Sequence, residues 1–472
     1  METLQRTANR GSISTGYDID NSLKFEADNT ESLTRSAQDG GNRKITTISF
    51  WTKRTELTSS YEMLLMAGVN DAKYTSLGFG TGNEINFHYY NSGSYPYNFT
   101  TQRLFRDTSA WYHIVIGIDT TQATDTNRVK FYVNGEQIAN SDLGTNVYPS
   151  QDIDTPFNND SATYPMEIGN DSVFSIGGIA YSGYITEFNF IDGSQLTPTS
   201  FGEFDEDSGI WKPKKYTGSY GTNGFYLDFE SSGSLGADSS GNGNDFSLTN
   251  ITSADQATDT PTNNFCTLNP LMTNTGNFLA ITEGATRATN TVTAYKTAAS
   301  TIGLSSGKWY WEVKLTNMNT ITAMGVTMPY YWDGDFSFGG CVYYGQPAQR
   351  YNNSSASFYG ATYATGDIIG FALDMDATTP TMTCYKNGVS QGNLFSGLSI
   401  NGAGGAFLPP KEDFYFAKLV AYNTNVFDCN FGGYTAFTIS SAASDDNGYG
   451  TFEYAPPSGY YAICTKNLAE YG

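Results

Sequence analysis

Trp111-Tyr112-His113-Ile114-Val115 leads into Phe131-Tyr132-Val133-Asn134-Gly135, and the same plan returns further along the chain. There Lys308-Trp309-Tyr310-Trp311-Glu312-Val313 leads through Gly366-Asp367-Ile368-Ile369-Gly370-Phe371 to Cys384-Tyr385-Lys386-Asn387-Gly388. Each unit is an aromatic-rich alternating strand, a second strand and an Asn-Gly step. Asn-Gly between alternating apolar residues is a strong hairpin signal, because a two-residue type I′ turn needs φ > 0 at both central positions. Two such units predict two β-sandwich modules on one chain.

Composition agrees. The 472 residues include 34 Tyr, 30 Phe and 50 Gly, and only 15% are charged. Aromatic and β-branched residues suit a pleated, half-buried surface, while Gly and Asn supply turns. No stretch sustains a 3.6-residue apolar period. The expected fold class is all-β: two β-sandwich, jelly-roll-like domains joined by a Gly/Ser/Asp/Asn-rich linker.

A net charge of −22 argues against nucleic acid as partner, since that affinity rests on Lys and Arg neutralising phosphates. Between Asp142 and Trp211 there are twelve carboxylates and no Lys or Arg. This is the pattern of a self-repelling surface that keeps an aromatic-rich protein in solution. The two histidines, His88 and His113, are too few for a His-based metal or catalytic centre. Five cysteines (Cys266, Cys341, Cys384, Cys429, Cys464) without paired spacing suggest folding in a reducing compartment. The segment from Met1 to Asp20 lacks the apolar core of a signal peptide. No apolar run approaches the ~18 residues of a membrane span, so no membrane insertion is expected.

The alternation sets the expected boundaries. Residues 1–20 are polar and aperiodic, an arm that gains order only against a partner. Residues 21–230 form the first module, with Ile48, Phe50 and Thr52 on one face of a strand and Ser49, Trp51 and Lys53 on the other. A linker follows over 231–272, then a second sandwich over 273–433 and a tail over 434–472. Pro456-Pro457 in the tail excludes a central strand.

Ile48-Ser49-Phe50-Trp51-Thr52-Lys53-Arg54, with the Trp111 and Val129–Gly135 stretches, resembles the laminin-G-like, concanavalin A-like lectin/glucanase jelly roll. Gly307-Lys308-Trp309-Tyr310-Trp311-Glu312-Val313, the Gly366 stretch and Tyr385-Lys386-Asn387-Gly388 resemble a SPRY domain. The order of the modules, the Asp238-to-Asp245 run and the Pro456-Pro457-Ser458-Gly459-Tyr460 tail together resemble virion structural proteins of tailed bacteriophages. The resemblance implies a non-enzymatic tail fibre, spike or capsid-surface fibre, made in the bacterial cytoplasm and placed on the virion surface. Its implied partners are other virion proteins and a host-surface glycan or protein, and it implies a homo-oligomer, a trimer by preference. The rival readings are a capsid decoration or cement protein and, least favoured, a polysaccharide-degrading enzyme.

Three clusters are candidates for chemistry. A retaining glycosidase needs two carboxyl groups about 5–5.5 Å apart. Glu203-Phe204-Asp205-Glu206-Asp207 offers them, but it lacks the final Glu of the β-glucanase strand pattern, so no catalytic residue is assigned. Asp238, Asn242 and Asp245 could offer oxygens to Ca²⁺ around two glycines, although the plainer reading is a turn and no cofactor is required. The loop Tyr330-Tyr331-Trp332-Asp333-Gly334-Asp335, with Tyr343 and Tyr344 beside it, combines aromatic faces with carboxylates, as sugar recognition requires. The alternative is that these aromatics fill a core or an interface.

Overall fold

The computed structural model describes residues 16–36, 40–159, 165–271, 277–319, 321–328, 340–352, 355–396 and 414–472. It divides into two compact units, Ser14–Thr262 and one whose continuous part is Asn263–Gly472. Strands dominate both, and the described residues contain a single short α-helix, Thr465–Tyr471. No helix among them is long and apolar enough to cross a membrane.

The N-terminal unit is a sandwich of two sheets. The first runs from Glu136–Gln137 through Val129–Val133, Tyr112–Asp119, Ile45–Arg54, Gly183–Asp192 and Ser22–Phe25 to Gln256–Ala257. The second runs from Leu143–Val147 through Ser94–Leu104, Glu84–Asn91, Lys73–Phe79, Glu62–Asn70, Met166–Ile168 and Ser32–Arg35 to Ser247–Thr249. Ile48, Phe50, Ile114, Ile116 and Phe131 from the first sheet meet Leu65, Leu77, Phe87 and Phe99 from the second in one core. Each such side chain, once buried, stabilises by about 1.5–3 kcal/mol.

The C-terminal unit repeats the principle. Lys308–Met318 is central in one sheet, between Asn425–Asn430 and Ile368–Asp374. The facing sheet contains Tyr295–Ala299, Phe416–Tyr422, Thr322–Thr327, Gly340–Tyr344, Gln349–Asn352 and Ser355–Phe358. Trp309, Trp311, Val313 and Leu315 alternate into its core, as their spacing predicts. All five cysteines are buried.

The two Asn-Gly steps are the same device in both units. Asn134 and Gly135 have φ of 50° and 83°, and Asn387 and Gly388 have 49° and 77°, as a type I′ turn demands. The Asn134 Oδ1 accepts the His113 backbone N–H at 2.8 Å, and the Asn387 Oδ1 accepts that of Ile368 at 2.9 Å. Each turn is thereby tied to the strand beside its hairpin.

Three expected boundaries are corrected. Residues 231–262 are not a linker: Ser247–Thr249 and Gln256–Ala257 pair with Ser32–Arg35 and Ser22–Phe25, and Leu235, Phe246 and Ile251 enter the core. Their Gly, Ser and Asn supply turns between short strands rather than freedom. The last stretch, 434–472, is not an extended tail. Tyr461–Ala462 pairs in parallel with Trp309–Tyr310, and Phe452, Ile463 and Cys464 are buried. The described end of the supposed arm is docked too, with the Ile19 N–H donating to the Thr262 Oγ1 at 3.0 Å. Residues 1–15 lie outside the described residues.

Candidate functional site

The sequence-derived site residues scatter. Tyr330, Tyr331, Trp332, Asp333 and Asp335 lie outside the described residues. Tyr343 is core, fully buried between Tyr359 and Tyr363 at centroid distances of 5.1 and 5.0 Å. Tyr344 turns to the opposite face of its strand, against Tyr351. Tyr343 is therefore excluded from any solvent-facing site.

Asp238, Asn242 and Asp245 organise a turn. The Asp238 carboxylate accepts the backbone N–H groups of Tyr226, Ser240 and Asn244 and the Ser240 hydroxyl. Asp245 accepts the Asp238 N–H, and the Asn242 amide donates to the Gly221 and Gly224 carbonyls. N–H donors point at the carboxylates where a cation would need to sit. Among the described residues no group of three or more His, Cys, Asp or Glu side chains is placed to hold a metal ion.

Glu203, Asp205 and Glu206 lie at and beyond the end of the strand Gly202–Phe204, which pairs with Trp211–Pro213. Glu203 and Glu206 are exposed. Asp205 accepts the Asp207 and Ser208 N–H groups, the Ser208 hydroxyl and the Lys212 ammonium, and these hold its carboxyl below the usual range.

The histidines separate into two settings. His113 is buried between Trp51 and Trp211, at centroid distances of 4.7 and 5.9 Å. Its Nδ1 accepts the Trp211 indole N–H at 3.0 Å, which leaves Nε2 to donate to the Ser49 hydroxyl at 2.9 Å. Burial pushes its pKa down to about 3, so it is a neutral packing element.

His88 belongs to a different surface. The second sheet of the N-terminal unit directs Leu77, Phe79, Ile85, Phe87, Tyr97 and Phe99 into the core. The two-residue period then places Tyr74, Ser76, Gly78, Asn86, His88, Tyr90, Asn98 and Thr100 on the outer face. Tyr61 and Tyr95 close this ledge at its sides. Tyr74 and Tyr90 are 5.4 Å apart by centroid, Tyr90 and Tyr95 5.5 Å, and His88 meets Tyr95 edge-on at 5.4 Å. Tyr95 is 47% exposed, whereas Tyr74, packed against Phe174, is buried beneath the other rings. Gly78 makes room for the Tyr61 ring, because a Cβ there would come within 2.8 Å of it.

Polar groups border the rings. The Thr100 hydroxyl donates to the Asn86 Oδ1 at 2.6 Å, and the Asn86 amide donates to the Glu84 carboxylate at 3.2 Å. His88 shares a 3.1 Å hydrogen bond with the Ser76 hydroxyl, and burial lowers its pKa to about 4. The ledge thus offers aromatic faces, an amide, a carboxylate and a neutral imidazole on a rigid sheet. Such a set can stack on the apolar face of a sugar ring and hydrogen-bond its hydroxyls. The alternation Glu84-Ile85-Asn86-Phe87-His88-Tyr89-Tyr90 carried this signal in the sequence, but only the observed pairing of three strands gathers the outward residues.

Residues 26–199 match the concanavalin A-like lectin/glucanases superfamily, laminin G type, and residues 308–409 match the SPRY domain. Among solved structures, the SPRY domain of human HERC1 is 18% identical, covering 31% of this chain and 89% of its own, with a TM-score of 0.26. Domains LG4-5 of the mouse laminin alpha1 chain are 9% identical, covering 94% of this chain and 96% of theirs, with a TM-score of 0.29. A heptameric SAP-like pentraxin from Limulus polyphemus is 16% identical, covering 39% and 80%, with a TM-score of 0.24. The assignment rests on the family matches and on the sheets themselves. The chain carries a laminin-G-like, concanavalin A-like domain followed by a SPRY domain.

Proposed function

We propose that this chain is a non-enzymatic binding protein that uses the outer face of the laminin-G-like sandwich to hold a glycan. The observation that carries this reading is the ledge of His88, Tyr90 and Tyr95 beside Asn86 and Glu84. A sheet face keeps its side chains in fixed register, so little conformational freedom is lost on binding. Both domain types are commonly binding modules. The concanavalin A-like fold also houses glycosidases, but the one dense carboxylate cluster considered for catalysis is committed to a turn and to lysines.

From the resemblance carried by the order of the two modules, we further propose a place on a tailed-bacteriophage virion, as a tail fibre, spike or capsid-surface fibre that touches the host. In that role the chain works as a homo-oligomer, a trimer by preference, alongside other virion proteins. A glycan array followed by calorimetry on the best hit tests the binding. Tyr95→Ala should weaken that hit about tenfold, a loss of about 1.4 kcal/mol, with the fold unchanged by circular dichroism. Absence of any glycan hit, or unchanged affinity in Tyr95→Ala, overturns the ledge as the site. Virions carrying Tyr95→Ala that adsorb normally favour the decoration role.

A further inference from the structure

In the first sheet of the N-terminal unit, Lys24 stands opposite Tyr184, and Tyr184 opposite Lys53. All three lie on the outer face, since their neighbours Leu23, Phe25 and Ile185 enter the core. The segment that follows Ile251 crosses this row and meets it with two carboxylates. Asp255 lies 2.9 Å from the Lys24 Nζ, and Asp259 lies 2.7 Å from the Lys53 Nζ. A third carboxylate, Glu31, places its Oε1 3.0 Å from the Lys24 Nζ. Lys24, Glu31 and Asp255 are 1%, 2% and 6% exposed.

We propose that Lys24 and Asp255 condense into an amide cross-link, with Glu31 relaying the proton. Transfer of a proton from the ammonium to the Asp255 Oδ1 that it touches leaves a neutral amine and a carboxylic acid. The amine lone pair then attacks Cγ and forms the C–N bond. Charge developing on Oδ2 is met by the Thr252 N–H at 2.8 Å and the Thr252 hydroxyl at 3.1 Å, an arrangement of fixed donors suited to an oxyanion. Glu31 takes the second proton from Nζ and delivers it to the Oδ1 hydroxyl. The Cγ–Oδ1 bond breaks and water leaves. Ammonium and carboxylate thus become one amide and one water, with Glu31 returned to its starting form and no oxidant or co-reactant required.

Glu31 is built for the relay. Its Oε2 accepts the Glu26 N–H at 2.8 Å and its Oε1 accepts the Asn29 amide at 3.1 Å, which fix the carboxyl against Nζ. Desolvation raises its pKa, against the opposing pull of Lys24. The product would join Ser22–Phe25 covalently to the turn Ser253–Asp255, closing the last segment of the unit over its first strand.

Intact-mass spectrometry of the full chain under denaturing conditions tests this directly. The expected mass is one water below that of the sequence, and tandem fragmentation should yield a branched peptide joining Lys24 to Asp255. Lys24→Arg keeps the positive charge but cannot condense, so it should show the full sequence mass. Glu31→Gln, if folded by circular dichroism, should also retain the water. Wild-type protein at full sequence mass, or a cross-link mapped to Lys53 instead, overturns the proposal. Complete loss of water in folded Glu31→Gln removes Glu31 from the relay.

Discussion

At the scale of the residue, Glu187 departs furthest from what alternation allows. It sits in the strand Gly183–Asp192 with a φ of 52°, where the register shifts between Thr186 and Asn189. This bulge holds the carboxyl at 6% exposure, against the hydroxyls of Tyr17 at 2.9 Å and Tyr226. Burial pushes its pKa up to about 7. Between the ordinary carboxylate value and about 7, the folded state therefore binds more protons than the unfolded one. The stability contributed by this group is present in full at low pH and is lost as pH rises through that window. Glu187→Gln should flatten this part of the pH dependence, read as urea midpoints at about pH 5 and about pH 7.5. An unchanged slope would place the sensitivity elsewhere, and Glu62, also pushed up to about 7 by burial, is the next group to substitute. None of this was legible in the sequence. The run Tyr184-Ile185-Thr186-Glu187-Phe188-Asn189-Phe190-Ile191 alternates without a break, and a bulge leaves no mark when the inserted residue is neither Gly nor Asn.

At the scale of the element, local chemistry was legible where it is self-sufficient. Asn134-Gly135 and Asn387-Gly388 announce their turns because the required φ values are a property of two residues. Gly135 adds a tertiary demand: a Cβ there would lie 2.3 Å from the Trp211 ring. Gly135→Ala should cost about 1–3 kcal/mol, from the left-handed backbone and the displaced indole together. Equilibrium unfolding of the N-terminal unit measures this, and a change below about 0.5 kcal/mol would mean the hairpin tip relaxes freely. Composition misled where packing decides. The run Asp238-Ser239-Ser240-Gly241-Asn242-Gly243-Asn244-Asp245 has the residues of a flexible connector, yet Asp238 gathers three backbone N–H groups and fixes it as a turn. Such side chain-to-backbone bonds use the same residue types that make linkers, so composition cannot separate the two. The ledge was hidden for a related reason: each strand shows its own alternation, but the neighbours that align Tyr74, His88 and Tyr95 come from pairing.

At the scale of the molecule, the two-sandwich plan was legible and the division between the sandwiches was not. Residues 231–262 read as linker but complete the first sandwich, and Tyr434–Gly472 reads as a tail but completes the second. In both cases the closing segment is short-stranded and turn-rich, so it lacks the long alternation that marked the central strands. The working boundary is Thr262/Asn263, with a separate core on each side. A fragment of residues 14–262 and one of residues 263–472 should each fold when expressed alone, with cooperative unfolding and native-like near-UV circular dichroism. A fragment ending at residue 230 should not. It loses Phe246 and Ile251 from the core and the Asp255 and Asp259 partners of two buried lysines. Removing the Asp259 partner of the buried Lys53 alone costs about 3–5 kcal/mol, a large share of the stability of a typical domain, about 5–15 kcal/mol. Limited proteolysis of the full chain gives the complementary reading, since cleavage should spare residues 231–262. Early cutting inside that segment, or a stable fragment ending at residue 230, would restore it as a linker.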